Sequence, residues 1–162
     1  MRARFRHSGF GRVQMSLRSI GARVPDTARK QMHRSAARIV ERARLYVPED
    51  EGNLRESIRI EKSYGNRGRL QIDVVVGGHT VVKASGREID LDQYAALVHE
   101  AYETSVANVN GPGPNTLAKM MANPGVRIGS FFLTRAAENE QERLARNIIE
   151  ETTKVIRSEG ML

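Results

Sequence analysis

VPEDEGNLRESI, residues 47–58, is the joint on which the reading of this chain turns. Pro48 disfavours helical geometry at Val47, so a helix arriving from the N-terminal side must stop there. Gly52 offers the positive φ that a tight reversal needs. Asn53 and Glu56 have the spacing of a helix cap and its reciprocal partner, which predicts one capped helical turn over NLRE. Beyond it the hydrophobic period falls to two. Ile58, Ile60 and Tyr64 alternate with polar residues, and after GNRG (65–68) so do Leu70, Ile72, Val74 and Val76. That pattern predicts a β-hairpin.

Upstream of the joint, Ala28, Met32, Ala36, Ile39, Ala43 and Tyr46 recur at three- and four-residue steps behind Pro25, a favourable first helical residue, and predict one long helix with a single buried stripe. Before it, Val13, Met15 and Leu17 alternate as in a half-buried strand. Downstream, residues 77–90 read as a loop with a short strand at Val81 and Val82, and 91–103 fits helix or strand. Six glycines and prolines between 103 and 129 predict a long loop with at most a turn around Leu117 to Met121. Ser130 is placed to cap a last helix carrying Phe132, Ala136, Ala137, Leu144, Ile148 and Val155 on one side and ending near Gly160. The expected fold class is α+β, with a long N-terminal and a long C-terminal helix packed on a small antiparallel sheet that contains a β-hairpin. Residues 1–11 are expected to form a flexible basic arm and 12–162 a single domain.

Charge and composition narrow the function. Residues 1–47 hold twelve Lys or Arg against Asp26 and Glu41, a net of +10, so the rest of the +7 chain carries −3. This asymmetry calls for an acidic partner, either nucleic acid or the acidic face of another protein, or else it is a solvated surface. The candidate contacts are Arg2, Arg4, Arg6 and Arg12, with Lys30, Arg34, Arg38 and Arg42 spaced at i,i+4 along the first helix, where like charges repel. Only Phe5 and Phe10 accompany the first arginines as stacking platforms, so any contact with DNA is expected to be sequence-independent. The chain has no cysteine, which excludes disulfides and thiolate chemistry. No apolar run reaches the roughly 20 residues of a membrane span, and no membrane partner is expected.

Catalytic constellations fail residue by residue. VHEAYE (98–103) places Glu103 where a zinc-protease helix needs its second histidine. GGHT and GPGP lack the Lys-Ser/Thr ending of a phosphate loop, and Ser130 leads into FFL rather than a nucleophile elbow. Glu49, Asp50 and Glu51 sit in a turn where water keeps them ionised. No catalytic residue, metal site or cofactor is assigned.

Three segments taken in order carry a resemblance: LYVPEDEGNLRESIRI, YAALVHE and GSFFLTRAAENEQERLARNI. They resemble the small head-to-tail joining, or tail-completion, proteins of long-tailed bacteriophages, from about Ser16 to the C-terminus. The matching positions are Pro48, Gly52, Leu54, Arg55, Ser57 and Ile58, then Tyr94, Ala95, His99 and Glu100, then Phe132, Leu133 and Ala136. The resemblance implies a non-enzymatic virion structural protein of the neck, made in the host bacterial cytoplasm. It implies a homo-oligomeric ring, sixfold or twelvefold, between a head-side connector or adaptor and the tail terminator or tube, with non-specific contact to the DNA that passes through. The alternative reading of the residues is a sequence-independent nucleic-acid-binding protein that uses the basic N-terminal third.

Overall fold

The structure, a computed structural model, describes residues 4–7, 13–16, 26–65, 69–83, 85–108 and 111–158. The elements run β1 (Arg4–His7), β2 (Val13–Ser16), α1 (Asp26–Tyr46), α2 (Asn53–Ser57), β3 (Arg59–Gly65), β4 (Arg69–Val75), β5 (Thr80–Val82), β6 (Glu88–Asp90), α3 (Leu91–Ala101), a π-helical turn (Tyr102–Val106), α4 (Pro114–Ala122) and α5 (Phe132–Ser158). The fold is α+β as expected, with long first and last helices over small antiparallel hairpins. Leu17, Pro25, Arg2, Arg12 and the helix end near Gly160 lie outside the described residues.

The expected stripe of α1 is its buried face: Ala28, Met32, Ala36, Ile39 and Ala43 are inaccessible, and Tyr46 packs at the edge of the core. Opposite them stand Leu70, Ile72 and Val74 of β4, so α1 closes one face of the β3–β4 hairpin. The hairpin register sets Ile60 against Val74, Lys62 against Ile72 and Tyr64 against Leu70. β1 pairs with β2 antiparallel, and β2 runs beside β4. Residues 4–7 of the expected flexible arm are thus strand, because a ladder with β2 gives their backbone groups partners.

α5 lies antiparallel on α1, burying Phe132, Leu133, Ala136, Ala137 and Leu144. Its 27 residues extend about 40 Å at the usual helical rise. Within this apolar seam sits a carboxylate, Glu140, whose side chain is 1% exposed. It accepts hydrogen bonds from Ser35 Oγ (3.0 Å), Arg38 Nε (2.7 Å) and Arg42 Nη1 (3.5 Å), all from α1. Arg38 Nη2 also donates to Ser35 Oγ at 2.9 Å, so the group is a closed network. A buried carboxylate is tolerated only when its charge and lone pairs are met in this way. Two of the four arginines and lysines that repel one another along α1 share this one counter-charge.

Removing that carboxylate strands two guanidinium groups which are 25% and 34% exposed and can turn partly to water. Glu140→Ala is therefore expected to cost about 3 kcal/mol, the low end for a broken buried pair, read from the urea midpoint of unfolding. A midpoint unchanged from that of the parent chain would contradict this account of the seam.

Candidate functional site

The acidic turn leaves α1 at Val47, and both Val47 and Pro48 are buried. Gly52 has φ 86°, the left-handed conformation that its lack of a Cβ permits. The helical turn expected over NLRE is present as α2, but its cap is not the expected one. Gly52 occupies the N-cap with no side-chain cap bond, and its carbonyl accepts from Glu56 N at 3.0 Å. Asn53 lies inside the turn and donates to Glu51 Oε2 at 3.4 Å, because the left-handed Gly52 starts the helix one residue early. Leu54 is buried, whereas Arg55 points outward and pairs with Glu49 at 3.2 Å. Ser57 Oγ donates to Leu54 O (2.7 Å) and accepts from Gly77 N (3.1 Å), which ties the turn to the end of β4.

Against this turn stand the β5–β6 hairpin and α3, leaving an open cleft with Leu54, Val81, Ile89, Leu91 and Tyr94 among its walls and Asp50 and Glu51 at its rim. Lys83 Nζ donates to Asp50 Oδ2, which raises the lysine above its ordinary value. Burial raises the Tyr94 hydroxyl. The segment left open between helix and strand is α3. Asp90 caps it by accepting from Asp92 N at 2.8 Å, and Leu91, Ala95, Val98 and His99 form its buried face.

The expected 103–129 loop is also corrected. Pro114 opens α4, which clasps the turn from behind. Thr116 Oγ1 donates to Glu49 O (2.7 Å) and accepts from Glu49 N (2.9 Å), and Asn115 Nδ2 donates to Asp50 O. Lys119 Nζ donates to the carbonyls of Arg44 (2.7 Å) and Val47 (2.8 Å) and pairs with Glu49 at 3.4 Å. The ammonium thus satisfies carbonyls that the end of α1 leaves without helical partners. Burial lowers the Lys119 pKa, and Glu49 opposes that shift.

The second and third segments meet at His99. Its ring is 1% exposed, edge-on to Phe131 (5.6 Å) and Phe132 (5.2 Å), with Nε2 3.2 Å from Thr134 Oγ1. Glu100 beside it is exposed. Ser130 does not cap α5 with its side chain: Oγ accepts from Tyr102 N at 2.9 Å and donates to Glu103 Oε2. Glu103 Oε1 also accepts from Ser130 N (3.1 Å), and Arg127 lies 3.7 Å away. A Cβ at Gly129, whose φ is 145°, would come within 2.3 Å of that carboxylate. Burial raises the Glu103 carboxyl, but the Ser130 hydrogen bonds and Arg127 outweigh it, and the net shift is downward.

Pro48, Gly52, Leu54 and Tyr94 therefore share the cleft, while His99, Phe132 and Leu133 lie buried along the path from α3 to α5. Lys30 and Arg34 are exposed on α1, whereas Arg38 and Arg42 serve Glu140. Arg4 and Arg6 stand on β1. Among the described residues, no three His, Cys, Asp or Glu residues are grouped to hold a metal ion. The sequence reading missed Thr116, Lys119 and Glu140, and named Glu103 without its bond to Ser130. Pro114 behind Gly113 was the available signal for α4, as a proline at a first helical position.

The segments that carried the resemblance are one connected structure, and comparison with protein families agrees on its class, the structural proteins of the phage tail and neck. The family model described as "Bacteriophage HK97-gp10, putative tail-component" matches residues 12–99, more than half of the sequence, and the chain belongs to that family. Comparison with curated proteins and with solved structures gave no match. Family membership makes the chain a structural component of the phage tail or neck and implies interaction with other proteins of that assembly.

Two measurements test the clasp. Lys119→Met keeps the aliphatic stem but leaves the end of α1 without its donor, and is expected to cost about 2 kcal/mol and to speed amide exchange across 114–122. Glu103, held below its ordinary value, contributes stability above the normal carboxylate range and loses it as pH falls through its folded pKa. Its side chain is 46% exposed, so water screening keeps this under about 1 kcal/mol. The stability gap between the parent chain and Glu103→Gln should shrink as pH falls below the ordinary carboxylate range, and a gap independent of pH would count against the Glu103–Ser130 contact.

Proposed function

We propose that this chain is a ring-forming subunit that completes the junction between phage head and tail. It is made in the host cytoplasm and built into the virion between a head-side connector or adaptor and the tail terminator or tube. In this reading it catalyses nothing and takes no cofactor. Residues 12–162 act as one docking domain in a sixfold or twelvefold ring, and the basic N-terminal third meets an acidic neighbour or the passing DNA. The observation that carries the proposal is the family match over 12–99, which contains α1, the acidic turn and most of α3. The side-chain chemistry is in keeping with it, since His99, Glu103, Glu140 and Lys119 are engaged in internal bonds that hold segments together. The nucleic-acid alternative is weakened by the engagement of Arg38 and Arg42 with Glu140, which removes half of the α1 ridge from phosphate contact.

Deleting the gene from a phage or prophage that encodes it should leave DNA-filled heads and separate tails, visible by negative-stain electron microscopy. Infectious, fully joined particles from the deletion would reject the proposal.

A further inference from the structure

The two ends of α1 are chemically opposite. At its N-terminal end Lys30 and Arg34 are exposed, and β3, which touches α1, brings Lys62 beside His33. Lys62 lies near enough to His33 to help burial lower its pKa. Tyr64, on the same face of the strand as Lys62, is 68% exposed. Asp26 is the one acidic residue between 26 and 34, paired with Arg29 at 3.7 Å, and Glu61 is turned to Arg59 at 2.6 Å. This end is a cationic patch around an exposed aromatic ring.

At the other end, four carboxylates and one cation lie between 49 and 56. Glu49 is held by Arg55 and Lys119, and Asp50 by Lys83, while Glu51 and Glu56 stand exposed. The clasp helix docked on this turn presents Leu117, 46% exposed, and Met121, 83% exposed, one helical turn apart. This end is an anionic patch around an exposed apolar pair. Over the 21 residues of α1 the two patches are separated by about 30 Å, so they cannot meet within one molecule.

We propose that these patches are the two halves of one heterologous contact, in which the basic end of α1 in one copy seats on the acidic turn and clasp of the next. The inference rests on the ring reading and assigns its self-contact. Lys30, Arg34 and Lys62 then face Glu51 and Glu56, and Tyr64 packs on Leu117 and Met121. Charge complementarity singles out a second copy as the occupant: the exposed cations of one end match the exposed carboxylates of the other, and each patch places apolar atoms among its charges as protein interfaces do. Two different patches joined head to tail generate a ring or a filament rather than an isologous dimer.

The test uses the full chain and two double reversals, Lys30→Glu/Arg34→Glu and Glu51→Lys/Glu56→Lys, at positions outside the core and the clasp. Sedimentation velocity in about 0.1 M salt should show concentration-dependent association of the parent chain that weakens at about 0.5 M. Each reversal alone should associate at least tenfold more weakly, and an equimolar mixture of the two should regain association, since every contact in an alternating assembly is again of opposite sign. A parent chain that stays monomeric, reversals that change nothing, or a mixture that fails to recover would overturn the contact, as would reversals that lose only duplex DNA binding. Failure here with unjoined heads and tails on gene deletion would remove the contact and leave the junction role standing.

Discussion

One buried carboxylate organises the long axis of this protein. Glu140 stands among Leu133, Ala136, Ala137 and Leu144 on α5, and only the side chains of α1 make that position tolerable. Apolar packing alone lets two helices slide along their stripes, because leucine and alanine contacts are interchangeable at low cost. A network of Ser35, Arg38 and Arg42 around one anion has a single register in which every donor is met. The same contact reduces like-charge repulsion along α1. Internal register and an apparently excessive basic ridge thus have a common cause.

The second constraint is the end of α1. A helix stopped by proline exposes carbonyls, and here an ammonium from α4 fills them while Thr116 bonds both backbone groups of Glu49. The acidic turn is therefore held from behind by a segment some seventy residues away in sequence, and its front is left as the rim of a cleft. Rigid support of this kind suits a surface meant to be met by another protein, since less ordering entropy is lost on contact.

Much of the fold was legible in the sequence, and the misses share a physical origin. The stripes of α1 and α5 and the β3–β4 alternation are local periodicities, so they survive inspection one segment at a time. Residues 91–103 stayed undecided because Tyr94, Ala95, Ala96 and Leu97 form a continuous apolar run; burial of Leu91, Ala95, Val98 and Tyr102 shows which period prevailed. Glu140 was hidden within AENEQER, where each carboxylate looks like part of a solvated face and the partners are about one hundred positions upstream. The clasp was hidden by its own helix breakers, although Gly113 and Pro114 only bracket the start of α4. Of the resemblance residues, the sequence placed the segments in order, but their meeting at a cleft and at His99 is a tertiary fact.

The π-helical turn at Tyr102–Val106 has a bearing on how this part of the chain can vary. A π-turn amounts to one surplus residue in a helix, and here that surplus swings Glu103 toward Ser130 while Tyr102 stays inward. Spacing from His99 to Glu103 is consequently a fixed gauge, intolerant of a single insertion or loss.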